Sequence, residues 1–265
     1  MYRLSYKKYG DYMKIVNDKV KTSDGFLLDV EIRIPDERIK KTIVMSHGLA
    51  SCKEGSKKQL LKIANALCID GYRVIQYDFR GHGRSSGTDL DVCLSALKID
   101  LETIIDNYIK DDYYLFGFSI GGLATCDYLY YTNNKSVKKI VLIGPPLDPA
   151  NGLVIRPNKL SHHAMDNVFD TTNFETKGYI YWKTNKFKLS KKFLEEFTLF
   201  DCKAIGTLSE RTLLLQGKND MVVNKEYNKK YSRQYNFKYK EFDASHSLYE
   251  KIDDVIIEII KYYNN

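Results

Sequence analysis

The stretch from Asp112 to Ala124, Asp-Tyr-Tyr-Leu-Phe-Gly-Phe-Ser-Ile-Gly-Gly-Leu-Ala, decides how the chain is read. A short apolar run, Tyr113 to Phe118, leads into Gly117-Phe118-Ser119-Ile120-Gly121, and Leu123, Ala124, Asp127 and Leu129 follow at the spacing of a helix. A serine hydroxyl is a poor nucleophile unless it stands exposed beside a base. A sharp turn from strand into helix gives that exposure when the flanking residues carry no side chain to collide with neighbouring backbone. Gly117 and Gly121 meet that demand. The helix start also directs backbone N–H groups and the positive end of the helix dipole at developing negative charge. Glycine and serine make ordinary turns as well, so the motif needs partners elsewhere in the chain.

Working outward, residues 13 to 20 and 25 to 34 are β-rich runs separated by Thr22-Ser23-Asp24-Gly25, whose Asp-Gly pair predicts a hairpin. Thr42 to Ser46 is a continuous apolar run of the kind buried on both faces of a parallel sheet, and it ends at His47-Gly48-Leu49. Ser56 and Gln59 have capping-box spacing ahead of a helical stripe, Leu60, Ile63, Ala64 and Leu67, with Gly71 as its stop. Tyr72 to Phe79 predicts a strand before the tight Arg80-Gly-His-Gly-Arg-Ser85 loop, and residues 90 to 110 predict a helix. Beyond Ser119, the predicted strands are Val137–Ile143, Thr212–Gly217 and Phe237–Phe242. Asn224–Tyr235 forms a polar helix, and a helix with a stripe of Ile252, Val255, Ile256, Ile259 and Ile260 closes the chain. The alternation fails between about 145 and 207, an aromatic-rich stretch in which Ser190 has the character of an N-cap, with Leu189 and Leu194 as a hydrophobic staple. The order implies one α/β domain over 1–265, an open and mostly parallel sheet with a cap inserted at about 145–207.

Composition narrows the function classes. The formal net charge of +7 comes from lysines scattered among acidic residues, with no compact Arg-rich stripe, which argues for a solvated surface over a nucleic-acid groove. Cys52, Cys68, Cys93, Cys126 and Cys202 are odd in number and widely spaced, a pattern that predicts reduced thiols in a cytoplasm and no zinc site or disulfide scaffold. Met1 to Lys14 is polar and lacks the apolar centre of a leader, and no run is long and apolar enough for a bilayer, so no stable membrane insertion is expected.

In an open α/β sheet ligands gather at the carboxyl ends of the strands. Residues with chemistry stand there: His47-Gly48-Leu49, Ser119, Asp220 after the Leu213–Gly217 run, and His246 after the last strand. With Ser46-His-Gly-Leu49, Tyr77-Asp-Phe-Arg-Gly-His-Gly-Arg-Ser85, Gly117-Phe-Ser-Ile-Gly-Gly122, Leu215-Gln-Gly-Lys-Asn-Asp220 and Ala244-Ser-His246 in this order, nearly the whole chain resembles an α/β-hydrolase of the serine esterase branch. Lys53-Glu54, and Gly178-Tyr179 leading to the Phe193 helix, are similar to bacterial cinnamoyl (feruloyl) esterase-like proteins. The serine aminopeptidase-like and monoacylglycerol lipase-like branch shares the main motifs.

The resemblance implies an α/β-hydrolase fold and acyl transfer without metal or cofactor, on a small-molecule ester. Ser119 would attack the carbonyl, His246 would move the proton, Asp220 would orient the imidazole, and the backbone N–H groups of Leu49 and Ile120 would bind the oxyanion. Asp148 is a rival acid at an earlier strand end, and His47 and His82 fit loop shaping better than catalysis because glycines flank them. Among the cap aromatics, Trp182 and Tyr181 are the first candidates for substrate contact. Ile120 and Phe118 replace residues usual in this group, a polar residue and a histidine, which affects substrate preference and leaves the backbone donors in place. Thioester hydrolysis, acyl transfer, amide hydrolysis, lipase or lysophospholipase activity, and a ligand receptor on a hydrolase fold stay open at this point, as does the oligomeric state.

Overall fold

The computed structural model describes residues 13–151 and 168–265. The leader reading of the first residues therefore lies outside the described residues, as do residues 152–167 of the predicted cap with His162 and His163.

An antiparallel hairpin opens the sheet. β1 (Met13–Lys21) pairs with β2 (Leu27–Pro35) in a register that joins Lys21 to Leu27, and Gly25 takes the turn position with φ of +100°. β2 then lies antiparallel to β4 (Arg73–Tyr77), and from β4 onward every pairing is parallel, through β3 (Thr42–Ser46), β5 (Tyr113–Phe118), β6 (Val137–Ile143), β10 (Thr212–Gly217) and β11 (Lys238–Phe242). The spatial order is β1-β2-β4-β3-β5-β6-β10-β11. The chain leaves β3 for β4 on one side and returns from β4 to β5 on the other, so the connections reverse between β3 and β5 and open a crevice at their carboxyl ends.

Successive strand residues face opposite sides, and each side has its own apolar cover. Ile43, Met45, Tyr114, Phe116, Val141 and Leu215 pack with helix α1 (Gln59–Ile69) and the C-terminal helix Ile252–Asn264. Val44, Ile75, Leu115, Ile140 and Leu214 pack with α2 (Leu94–Tyr108) and α3 (Ile120–Thr132). Burial on both faces accounts for the continuous apolar runs in the central strands.

Two local expectations fared differently. Ser190 is the N-cap of the helix Lys191–Thr198, its side chain accepting from the Phe193 N–H at 3.1 Å. The capping box at Ser56 and Gln59 does not form. Residues Ser56–Lys58 make a 3-10 turn without a side-chain cap, Lys57 and Lys58 have positive φ, and the Gln59 amide is buried against Gly55. The Gln59 side chain turns inward instead, with neither its amide nitrogen nor its amide oxygen paired among the described residues.

The interrupted stretch between β6 and β10 contains a small antiparallel sheet, β7 (Phe169–Asp170), β8 (Tyr179–Trp182) and β9 (Phe187–Ser190). β8 and β9 are joined by Lys-Thr-Asn-Lys, with Lys186 at φ of +50°. This hairpin is not among the predicted elements, although Tyr-Ile-Tyr-Trp beside an Asn-containing turn is a signal of one.

Buried ion pairs lock the loops after β4. Arg80 donates from Nε and Nη2 to Asp100 Oδ1 at 2.9 and 2.7 Å, its N–H bonds Asp100 Oδ2 at 2.9 Å, and its guanidinium also pairs with Asp24. Asp100 is fully buried on α2, so the loop is tied to that helix by charges that no water screens. Asp100→Ala leaves Arg80 with one exposed partner and is expected to cost about 3 kcal/mol of unfolding free energy. Lys138→Ala, which breaks the exposed 3.3 Å pair with Asp112, is expected to cost under about 0.5 kcal/mol. Urea denaturation of the two variants checks the ranking.

Candidate active site

β5 is buried along its whole length and hands the chain to α3 at Ser119, whose φ of 53° and ψ of −120° lie in a region that non-glycine residues rarely occupy. Such a conformation costs on the order of 1–3 kcal/mol and persists only where the surroundings impose it. Here the Ser119 N–H bonds the Ile143 carbonyl and the Ser119 carbonyl accepts from the Gly122 N–H, both at 2.9 Å. The flanking glycines are required by close approach. A Cβ on Gly117 would lie 2.6 Å from the Gly122 Cα, and one on Gly121 would lie 2.6 Å from the Ser46 carbonyl oxygen and 2.7 Å from that of His47. The serine side chain is thereby pushed out of the sheet while its backbone stays pinned.

The candidate acid and base follow the last two strands of the sheet, β10 and β11. Asp220 follows β10, and its Oδ1 accepts from the N–H groups of Val222 and Val223 at 2.8 and 2.9 Å. Its Oδ2 faces His246 Nδ1 at 2.7 Å and also accepts from Gln216 Nε2 at 2.7 Å. Burial by itself disfavours the charged carboxylate, but the hydrogen bond and charge of His246 and the two backbone donors outweigh it and hold Asp220 below the usual carboxylate range. His246 lies in the loop after β11, its ring 5.2 Å from that of Phe118, the residue before Ser119. It also presses on Gly144, where a Cβ would come within 3.0 Å of the imidazole. The Ser119 hydroxyl makes no hydrogen bond among the described residues, so serine and histidine are neighbours through Phe118 without a direct link. Hydroxyl-to-base contacts commonly tighten only when substrate is bound. Asp148 is engaged elsewhere, by the Asn151 N–H at 3.0 Å and the Tyr231 hydroxyl at 3.3 Å.

The two candidate oxyanion donors come from the helix start and from the loop after β3. Ile120 is the first residue of α3, so its N–H has no acceptor within the helix. Leu49 belongs to the loop after β3, and its N–H has no acceptor among the described residues. That loop presses on the serine: a Cβ on Gly48 would lie 2.9 Å from the Phe118 ring and 3.3 Å from the Ser119 Cβ.

Two histidines fix the loop. His47 Nε2 accepts from the Phe79 N–H at 3.0 Å, which places its proton on Nδ1, facing the Gly48 carbonyl at 2.7 Å. His82 Nε2 accepts from the Ala50 N–H at 3.1 Å, and its Nδ1 faces the Arg80 carbonyl at 2.9 Å. Burial pushes His47 down to about 3 and lowers His82 below the ordinary histidine value, so both serve as neutral acceptors. Lys53, buried with its ammonium on Asp29 and Asp78, fastens the far end of the loop, and its own N–H bonds Asp78 Oδ1 at 2.7 Å.

The aromatic candidates are not joined to this group by any contact among the described residues. Trp182 packs on Phe169, ring centres 6.0 Å apart, and against the core, while Tyr181 is adjacent on β8 and so points to the opposite face. The insertion meets the loops through Phe187 instead, whose ring stacks on His82 at 5.0 Å, and through the Lys188 N–H on Asp89 Oδ2 at 2.8 Å. Glu196 adds a third tie, accepting from the Ser95 N–H and hydroxyl, both at 2.8 Å. Among the described residues no three His, Cys, Asp or Glu side chains are grouped to hold a metal ion, and no helix is long and apolar enough to cross a membrane.

Comparison with known proteins agrees with this geometry. Residues 37–196 match the family described as Serine aminopeptidase, S33. A non-heme haloperoxidase of Rhodococcus erythropolis is 32% identical over 130 residues, covering 48% of this chain and 44% of that protein. The matches span less than half the length of the curated relatives. Among solved structures, Est1E of Butyrivibrio proteoclasticus with bound ferulic acid aligns with a TM-score of 0.73 at 17% identity, over 93% of this chain and 97% of that one. The Pyrococcus furiosus esterase Pf2001 aligns with a TM-score of 0.67 at 18% identity, over 99% and 95%.

The buried neutral histidines make stability depend on pH. In the unfolded chain His47 and His82 bind protons below about pH 6.5, whereas in the folded chain they resist protonation to lower pH. The unfolded state therefore holds more protons in that window. Folding stability is expected to be complete above about 6.5 and to fall as pH drops below it, by up to ~1.4 kcal/mol per pH unit for each histidine. Chemical denaturation from pH 8 to 5 measures the slope, and His82→Gln should reduce it.

Proposed function

The chain belongs to the Serine aminopeptidase, S33 family and has the α/β-hydrolase fold, and from that premise we propose that it is a serine carboxylesterase acting through an acyl-enzyme on Ser119. The observation that carries the reading is the 2.7 Å contact between His246 and Asp220 at the strand edge where Ser119 stands on its constrained turn.

In this mechanism His246, held in one tautomer by Asp220, takes the Ser119 proton through Nε2 as the hydroxyl attacks the ester carbonyl. The tetrahedral oxyanion is bound by the N–H groups of Ile120 and Leu49, donors that need no reorganisation because the helix start and the histidine-fixed loop already aim them. The proton passes to the leaving alcohol, and a water activated by the same imidazole then cleaves the acyl-enzyme. Asp148 takes no part, since its carboxylate is bound to Tyr231 and Asn151.

For the substrate we propose small to medium soluble esters, aryl esters included. The insertion leaves the sheet at the carboxyl end of β6, the edge on which Ser119 stands, and on this reading it roofs the serine and sets the pocket. The Est1E structure, with its ferulic acid, makes hydroxycinnamate esters the first to try. Trp182 and Tyr181 keep their candidacy as contacts reached from that roof.

Hydrolysis of a panel of p-nitrophenyl, cinnamoyl, thioester, anilide and long-chain monoacylglycerol substrates by the pure protein tests the reading. Butyrate and cinnamate esters are expected to turn over fastest, and a preference for anilides or long-chain lipids would replace it. Ser119→Ala is expected to abolish fluorophosphonate labelling and lower kcat on the order of 10⁴- to 10⁶-fold. Asp220→Asn should lower it on the order of 10⁴-fold through the wrong tautomer, with Asp148→Asn near wild type.

A further inference from the structure

We propose that Gln216, itself held by Asn228, is a positioning residue that fixes the Asp220 carboxylate and limits how much of its charge reaches His246; this rests on the catalytic assignment above.

Gln216 is the penultimate residue of β10 and is fully buried, as is Asn228 on the helix Lys225–Gln234. A glutamine can present either end of its amide to a neighbour. Here Asn228 Nδ2 donates to Gln216 Oε1 at 2.8 Å, which leaves the Gln216 NH₂ to face Asp220. That group donates to Oδ2 at 2.7 Å, the same oxygen that His246 Nδ1 approaches at 2.7 Å. Oδ1 is already taken by two backbone N–H groups, so all four contacts of the carboxylate are fixed and it cannot rotate without breaking several of them.

Sharing has an electrostatic consequence beyond orientation. Each donor on Oδ2 draws on the same negative charge, and in a buried site that charge is what stabilises a protonated imidazole. With Gln216 in place, His246 gains less from Asp220 than it would from an unshared oxygen. Among the described residues Asp220 is the charged group against His246. Phe118 and Gly144 cover other sides, and Glu250, from the neighbouring turn, is occupied by the Ser245 hydroxyl at 2.8 Å. Gln216 touches neither Ser119 nor the two candidate oxyanion donors, so its effect has to pass through Asp220.

The test compares wild type, Gln216→Met, which keeps the length and loses the donor, and Asn228→Ala, which frees the Gln216 amide to turn. Three quantities are read: kcat and KM against pH with p-nitrophenyl butyrate, the thermal midpoint, and the downfield proton resonance of His246 Nδ1–H. Gln216→Met is expected to lower kcat about ten-fold with KM unchanged, the loss of one hydrogen bond to a charged group. The acid limb of the kcat profile should move to higher pH and the resonance should shift, with Asn228→Ala changing both in the same direction by less. A Gln216→Met protein whose acid limb and resonance match wild type overturns the proposal, whether or not its midpoint falls. Should wild type hydrolyse no ester, the functional reading fails separately, and the resonance still decides whether Gln216 acts on the Asp220–His246 pair.

Discussion

Three backbones meet at the carboxyl end of β5 at distances that allow only hydrogen in place of a Cβ, and the rest of the site depends on that meeting. β5 closes on its own helix at Gly117 and Gly122, and the helix closes on the end of β3 at Gly121. The result is a turn that holds Ser119 at positive φ, frees the Ile120 N–H and brings the loop of Gly48 and Leu49 against the serine. Here main chain lies on main chain, and the geometry has little slack. That rigidity is what a preorganised oxyanion site requires.

The loops around the turn are held by buried charge and polar groups at some cost. Lys53 with Asp29 and Asp78, and Arg80 with Asp100, lie in low dielectric, where removing either partner would strand a charge. His47 and His82 achieve the same end without charge, each offering a ring nitrogen to a loop N–H that has no other acceptor among the described residues. Apolar packing could bury these loops, but it could not specify the direction in which the Leu49 N–H points. Directional contacts can, which is a physical reason for so much polarity beneath these loops.

The order of strands and helices was legible because burial on both faces writes continuous apolar runs, and the glycine pattern around Ser119 has few other uses. Ser190 was legible for the same kind of reason, since its cap is made within one turn of helix. What the sequence concealed was long-range. The Gln216–Asp220 and Phe187–His82 contacts join residues whose types are ordinary where they stand, and no periodicity marks a glutamine in a buried strand as a donor to a carboxylate. Gln59 misled in the opposite sense. Its spacing from Ser56 suits a cap, yet its side chain is drawn inward and the turn unwinds through Lys57 and Lys58. The choice between Asp148 and Asp220 likewise needed three dimensions, because both follow strands of the same sheet.

β6 and β10 are parallel neighbours, with the Gly144 N–H just past β6 bonding the Leu215 carbonyl at 3.0 Å, so the long segment between them leaves the sheet at its carboxyl edge and re-enters at Thr212, opposite Ile140, towards the other edge. A segment of that length can still grow or shrink at small entropic cost, since closing a loop becomes only slowly more expensive with added residues. The chain thus combines a strand edge where a side chain at Gly117 or Gly121 would meet backbone with a long insertion that rests on His82 through Phe187, and the first leaves far less room for change than the second.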